Sequence, residues 1–302
     1  MFSVYGEERP PYAAMVGFYP SDAGELRRVI EECFLDERFG PGRLPSVGSR
    51  PGRVVGGVVP HAGYRYSGPC AAWFYLELGE RLGGVDTVVV VGTNHTGYGG
   101  VYTTTLKFLR WRTPLGVVEV DVEFTRELLK SVDVLVDDPW AHYEEHSVEV
   151  QLPFLQYLYG DGFRLVPIVA READVEAAAA LAKGIAGVAE ALGRRVVVLA
   201  SSDFTHHGPM YGYVVFTENV AENVRRLDES IIEYIVALDT EGFLKRIRET
   251  GATVCGVGAI AALMEYAKIV GVSRVEKLCY YNSGELTGDE DIVVGYASIA
   301  FY

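Results

Sequence analysis

Six histidines occur in this 302-residue chain, and three of them come soon after valine-rich runs. Val54 to Pro60 leads into His61, Thr87 to Gly92 leads into His95, and Arg195 to Ala200 leads through Ser201-Ser202-Asp203 to His206. Imidazoles gathered in this way suit two kinds of chemistry: holding a metal ion through a neutral ring nitrogen, or moving protons near neutral pH. His61 and His95 stand in glycine-containing loops where backbone can approach a ligand closely, which makes them the first candidates as metal ligands. The bland alternative for each is a hydrogen-bonded loop histidine. Asp203, three residues before His206, can orient that imidazole, share its metal or cap a turn. His207 reads as structural, pointing away from its neighbour.

Cys255 opens a run that is helical in pattern, after Gly251-Ala252-Thr253-Val254. A thiol in the first turn of a helix feels the positive end of the dipole and is acidified. Packing in the core is the competing explanation, because cysteine is among the residues most often buried. Cys33, Cys70 and Cys279 lack such a context and read as core. His142-Tyr143-Glu144-Glu145-His146 matches the H-x-x-E-H zinc signature of inverted zincin proteases. Pro139 just upstream suggests that a helix begins here, leaving His142 outside it, and no third ligand is evident. The expectation is therefore that His142 and His146 form no zinc site of their own, and that His146 and Glu149 lie near the crevice or brace their helix.

The elements that must position these residues are readable from periodicity. Near-continuous β-branched runs are strands buried on both faces, as in a parallel sheet between helical layers. In such sheets the loops leaving the carboxyl ends of the strands line one crevice, so loops far apart in sequence deliver their side chains to the same edge. Asp22 starts a helix ending before Gly40, another runs from about Pro69 to Arg81, and helices follow at about 121–130 and 145–159. Residues 101–120 alternate around Thr113-Pro114-Leu115-Gly116 and predict an edge hairpin. A strand from Phe163 to Ala170 precedes an Ala-rich helix from Asp174 to Leu192. Two helices occupy about 217–249, another begins near Cys255, and strands at Val275–Asn282 and Ile292–Phe301 close the sheet. The stretch through Pro20 looks irregular. This β/α alternation predicts a three-layer α/β/α sandwich around a mixed, mainly parallel sheet.

The bulk composition narrows the functional classes. No linker or low-complexity stretch marks a boundary, so residues 1–302 read as a single α/β domain. A net charge of −14 argues against binding nucleic acid or anionic lipid, which needs a basic face. No apolar run approaches membrane-spanning length. The start, Met1 to Glu8, lacks the basic and apolar stretches of a signal peptide. Four widely spaced cysteines with no CxxC pair fit free thiols in a reducing compartment. A cytoplasmic location is expected.

Several strings, taken together, resemble the Memo family. They are Pro60 to Gly68, Asn94-His95-Thr96-Gly97, Glu145-His146-Ser147-Val148-Glu149 with Leu152-Pro153, Ser201 to His206, Thr253-Val254-Cys255-Gly256, Asn282-Ser283-Gly284-Glu285 with Thr287-Gly288-Asp289, and Val294 to Ser298. The resemblance runs from about Pro10 to the carboxyl terminus. It implies a fold like that of class III, LigB-like extradiol dioxygenases, which are non-haem iron(II) enzymes. By that resemblance His61 and His95 take the places of two metal-ligating histidines, and His206 that of a catalytic base assisted by Asp203. Cys255 takes the place of a ligating glutamate, while Asn94, Tyr64, His146 and Glu149 line the pocket. A thiolate in place of a carboxylate shifts preference toward copper(I), zinc or a low-potential iron site, so ring cleavage is not inherited with the fold.

The resemblance also implies iron or copper binding with a redox role. For prokaryotic relatives, named component B of the AmmeMemoRadiSam system, it implies a radical-SAM partner. Animal members are linked to signalling through phosphotyrosine peptides. The alternative function is a non-catalytic module that binds a peptide or partner in the same crevice. Thr93 stands where a proline is common in the family, and His207 at a position often aromatic; neither is a proposed ligand.

Overall fold

The computed structural model describes residues 6–302; residues 1–5, part of the stretch read above for a signal peptide, lie outside it. Among the described residues, twelve strands alternate with helices. The strands are β1 (Glu7–Arg9), β2 (Gly56–Val59), β3 (Thr87–Thr93), β4 (Tyr102–Thr104), β5 (Phe108–Thr113), β6 (Gly116–Glu119), β7 (Leu135–Asp137), β8 (Arg164–Ala170), β9 (Val196–Ser201), β10 (His206–His207), β11 (Val275–Asn282) and β12 (Val293–Phe301). The main sheet has nine strands, running β10-β12-β2-β9-β3-β8-β4-β7 with β11 on the other side of β12. Its centre, β2-β9-β3-β8, is parallel, and its flanks add antiparallel pairs with β12 and β4.

The helices are α1 (Tyr12–Met15), α2 (Ala23–Leu35), α3 (Tyr64–Arg81), α4 (Val122–Ser131), α5 (Trp140–Tyr143), α6 (Leu152–Tyr159), α7 (Val175–Leu192), α8 (Val220–Val236), α9 (Thr240–Thr250), α10 (Val257–Ile269) and α11 (Ser283–Thr287). The pleat of β3 shows why they form two layers, since successive side chains leave opposite faces. Val88 and Val90 pack with Phe34, Phe74 and Phe154 of α2, α3 and α6. Val89 and Val91 pack with Leu181 and Ile185 of α7 and Ile260 and Leu263 of α10. A sheet apolar on both faces must be covered on both, and the result is the α/β/α sandwich. Gly57 lets α3 approach, because a Cβ there would stand 2.1 Å from a Phe74 ring carbon.

Four sequence expectations need correction. The helix expected from Pro69 begins at Tyr64 instead, enclosing the proline. Burial of Tyr64, Ser67 and Gly68 outweighs one lost backbone hydrogen bond there. The helix expected from 145 begins only at Leu152, after a single 3-10 turn at Glu149–Gln151. Residues 145–147 are tied up locally, with the Glu145 carboxylate accepting from the Ser147 N–H. Residues 101–120 are not one edge hairpin: β4 joins the main sheet, while β5 and β6 form a separate three-stranded sheet with β1. From Gly6 onward the opening segment is not irregular, because fully buried Arg9 anchors β1 beside β5.

Candidate metal centre

β2, β3 and β9 end at one edge of the sheet, and the loops beyond them carry His61, His95 and Asp203. Each imidazole is fixed through its outer nitrogen. The Ser201 hydroxyl donates to the Ser147 carbonyl at 2.6 Å, so its proton is already committed. His61 Nδ1, 3.1 Å from that oxygen, is then the donor, which leaves Nε2 beside Cys255 Sγ and able to ligate an ion once it is unprotonated. His95 Nδ1 lies 2.9 Å from Glu145 Oε1, and its backbone N–H donates to Glu145 Oε2 at 2.7 Å. A carboxylate on the outer nitrogen sets both tautomer and ring direction, the arrangement that commonly orients histidine ligands.

His146 completes the cluster. Its ring stacks on His95 at 4.6 Å between centroids and lies under Phe18 at 4.1 Å. Ligand atoms of His61, His95 and His146 all lie within 4.8 Å of one another. A tetrahedral ion with bonds of about 2.0–2.1 Å sets its nitrogens a little over 3 Å apart, so modest closure brings the three onto one ion. The donor set fits a metal: three imidazoles converge, and a thiol stands beside them.

That thiol is Cys255, with Sγ 3.3 Å from His61 Nε2 and accepting the Asp203 N–H at 3.2 Å. Burial raises a thiol's pKa, but the charge and hydrogen bond of His61, the hydrogen bond of His95 and the charge of His206 outweigh burial and hold Cys255 well below the ordinary range. Cys255 stands just ahead of the first turn of α10, which starts two residues later at Val257, and the imidazoles lower its pKa. Gly256 allows this turn: its N–H donates to Ser202 Oγ, and a Cβ would stand 2.4 Å from Ser202 Cβ. Burial opposes charge on His61 as well, yet Cys255 and Asp203 raise its pKa. Burial pushes Glu145 up, but His95 prevails and holds it at about 2. Burial pushes His146 down to about 3, with the His61 charge adding to it.

Asp203 and His206 form the adjoining wall. Asp203 Oδ1 accepts the backbone N–H groups of His61 at 2.8 Å and Ala62 at 3.3 Å, latching the loop that presents His61. Burial raises the Asp203 pKa. His206 Nδ1 donates toward the Phe204 and Thr253 carbonyls at 2.9 and 3.1 Å, which fixes a proton on that nitrogen and the direction of the ring. A cavity of about 540 Å³ opens over these groups, walled also by Phe18, Tyr66, Tyr211 and Tyr296.

The sequence-derived candidates divide accordingly. His61, His95, His146, Asp203 and His206 line the cavity, and Cys255 stands against His61. Asn94, Tyr64 and Glu149, expected to line it, do not. The Asn94 side chain folds its own turn, accepting from Thr96 Oγ1 and Gly97 N–H. Tyr64 is buried in α3 and donates to the Val150 carbonyl. Glu149 is fully buried in an ion pair with Arg9. His207 is turned away, its Nε2 accepting from the Val215 and Phe216 N–H groups. His142 donates from Nε2 to the Thr103 carbonyl and does not meet His146.

Two supports were not anticipated. Glu145 appeared only as part of a motif, although it orients His95 across fifty residues. Arg9 donates to the Glu145 and His142 carbonyls and pairs with Glu149, fastening β1 beneath the same loop.

Comparison with known proteins agrees over nearly the whole chain. Residues 9–300 match the family model described as Memo-like protein. A MEMO1 family protein of Methanopyrus kandleri is 45% identical, covering 97% of this chain and 99% of its own. A MEMO1 family protein of Ignicoccus hospitalis is 43% identical over 97% of this chain and 98% of its own, and one of Desulfurococcus amylolyticus is 41% identical over 94% and 96%.

Proposed function

This chain belongs to the Memo family, and from that premise we propose that its cavity binds iron(II) or copper for a redox reaction of a small molecule. The observation that carries this reading is the convergence of His61, His95 and His146, with the outer nitrogens of His61 and His95 already committed. His61 and His95 are the constant ligands, and Cys255 or His146 supplies the third. Zinc fits the imidazoles equally, but the adjacent thiol favours a softer ion such as copper(I). When bound, the ion would supply open coordination positions and one-electron exchange. His206, with Nδ1 fixed, takes or returns a proton at the substrate. Asp203 keeps the His61 loop in place, and Phe18, Tyr66, Tyr211 and Tyr296 enclose an apolar body and exclude water.

The test is anaerobic reconstitution with iron(II), copper(I) or zinc, followed by metal analysis and oxygen-uptake measurement with and without reductant. One tightly held iron or copper per chain, with uptake that depends on it, supports the proposal. Metal held without any redox turnover favours the rival reading, a crevice that only binds a peptide or partner protein. Absence of tight binding removes the metal reading altogether.

A further inference from the structure

Two other thiols share one small cluster behind the cavity. Cys70 lies on α3 and Cys279 on β11, with Ser298 of β12 beside both. Cys279 is the cross-strand partner of Ser298, so their side chains leave the same face of the sheet, toward α3. The Ser298 hydroxyl donates to the Cys70 carbonyl at 2.6 Å, and Cys70 Sγ lies 3.8 Å from that hydroxyl. Cys279 packs against the small cluster that Cys70 forms with Tyr281, Val294 and Tyr296. Both are free, Cys70 fully buried and Cys279 partly exposed.

We propose that Cys70 and Cys279 are a dithiol site that a hydroperoxide converts into a disulfide joining α3 to β11. Cys279, the accessible member, attacks the peroxide oxygen as its thiolate. The O–O bond breaks, and water and a Cys279 sulfenic acid result when the peroxide is hydrogen peroxide. The Cys70 sulfur then displaces the sulfenic oxygen; an S–S bond forms, the S–O bond breaks, and a second water leaves with the Cys70 proton. The two sulfurs together give up the two electrons that reduce the peroxide. Burial holds the Cys70 thiol far above the ordinary range, so the second step is the slow one.

The link would stiffen one wall of the cavity. The Tyr281 hydroxyl accepts the Cys70 N–H at 3.3 Å and donates to the Tyr66 carbonyl at 2.7 Å. Tyr66, on α3, and Tyr296, on β12, both line the cavity. The inference does not depend on the metal reading, because neither thiol belongs to that cluster.

The full-length, metal-free protein is treated with hydrogen peroxide, its remaining thiols are alkylated, and peptides are mapped with and without dithiothreitol. The expected result is a Cys70–Cys279 linked peptide in most chains, lighter by two hydrogen atoms and released by the reductant. A higher Tm of the oxidised form is expected with it. In Cys70→Ser, Cys279 should instead accumulate as sulfinic acid. Wild type alone decides the matter if that variant fails to fold. Recovery of both cysteines alkylated after Cys255 has been oxidised would overturn the proposal. So would Cys279 sulfinic acid without any link in wild type, or a link to Cys33 or Cys255.

Discussion

The two ends of the parallel core are both dense in charge, yet they are built differently. At the amino ends of β3, β8 and β9, Asp86 pairs with Arg195, Arg164 with Glu119 and Arg194 with Glu123 in contact with solvent, and only Asp121, which Arg194 also reaches, is buried. At the carboxyl ends, Glu145, Asp203 and His61 are buried and their partners are imidazoles, a thiol and backbone N–H groups. Guanidinium–carboxylate pairs in water satisfy one another and contribute little. Buried groups that hold only one proton among several acceptors are left with lone pairs directed at a common point. Charge density alone therefore does not mark the site; desolvated, incompletely protonated donors do.

The sharpest way to break this contrast is at the proposed ligands. Replacing His61 or His95 by alanine should lower metal affinity by more than about 100-fold, beyond the range typical of outer hydrogen-bond partners, as read by anaerobic chelator competition. Glu145→Gln should cost about 10–100-fold, because the ring of His95 loses its charged anchor while the ligand itself remains. If Glu145→Gln binds metal as wild type does, the carboxylate is not an orienting group.

His142 sharpens the comparison from within the same motif. Burial, with the charge of Arg9, pushes its pKa down to about 4. The folded state thus favours neutral His142, and this contribution is present above the unfolded value near 6.5 and lost as pH falls toward 4. Urea denaturation of wild type and His142→Asn between pH 7 and pH 4 should show wild type losing about 3 kcal/mol more than the variant. Parallel pH profiles for the two proteins would contradict the assignment. The smallest effect belongs to the amino edge: Arg195→Ala should leave both the urea midpoint and metal affinity unchanged within error, and a loss of metal affinity there would erase the distinction between the edges.

Much of this was legible in the sequence, for a physical reason. The valine runs identify strands buried on both faces, and that alone brings His61, His95, Asp203 and His206 to one edge. What could not be read depends on single long-range hydrogen bonds. Nothing local in Glu145 indicates that it turns away from a helix to meet His95, or that Arg9 crosses under it from the amino terminus. Pro69 is a strong local signal for a helix start, and it yields to the burial of Tyr64 against Phe154 of α6. Asn94 and Glu149 were expected in the cavity on motif proximity, but adjacency in sequence does not give side-chain direction in a turn.

The most direct test of the central claim is anomalous diffraction, at the edge of the added metal, from crystals of anaerobically loaded protein. The account predicts one peak per chain at about 2.0–2.2 Å from imidazole nitrogens of both His61 and His95, with Cys255 Sγ or His146 as the next donor. A peak held by other residues, with density absent between His61 and His95, would contradict it.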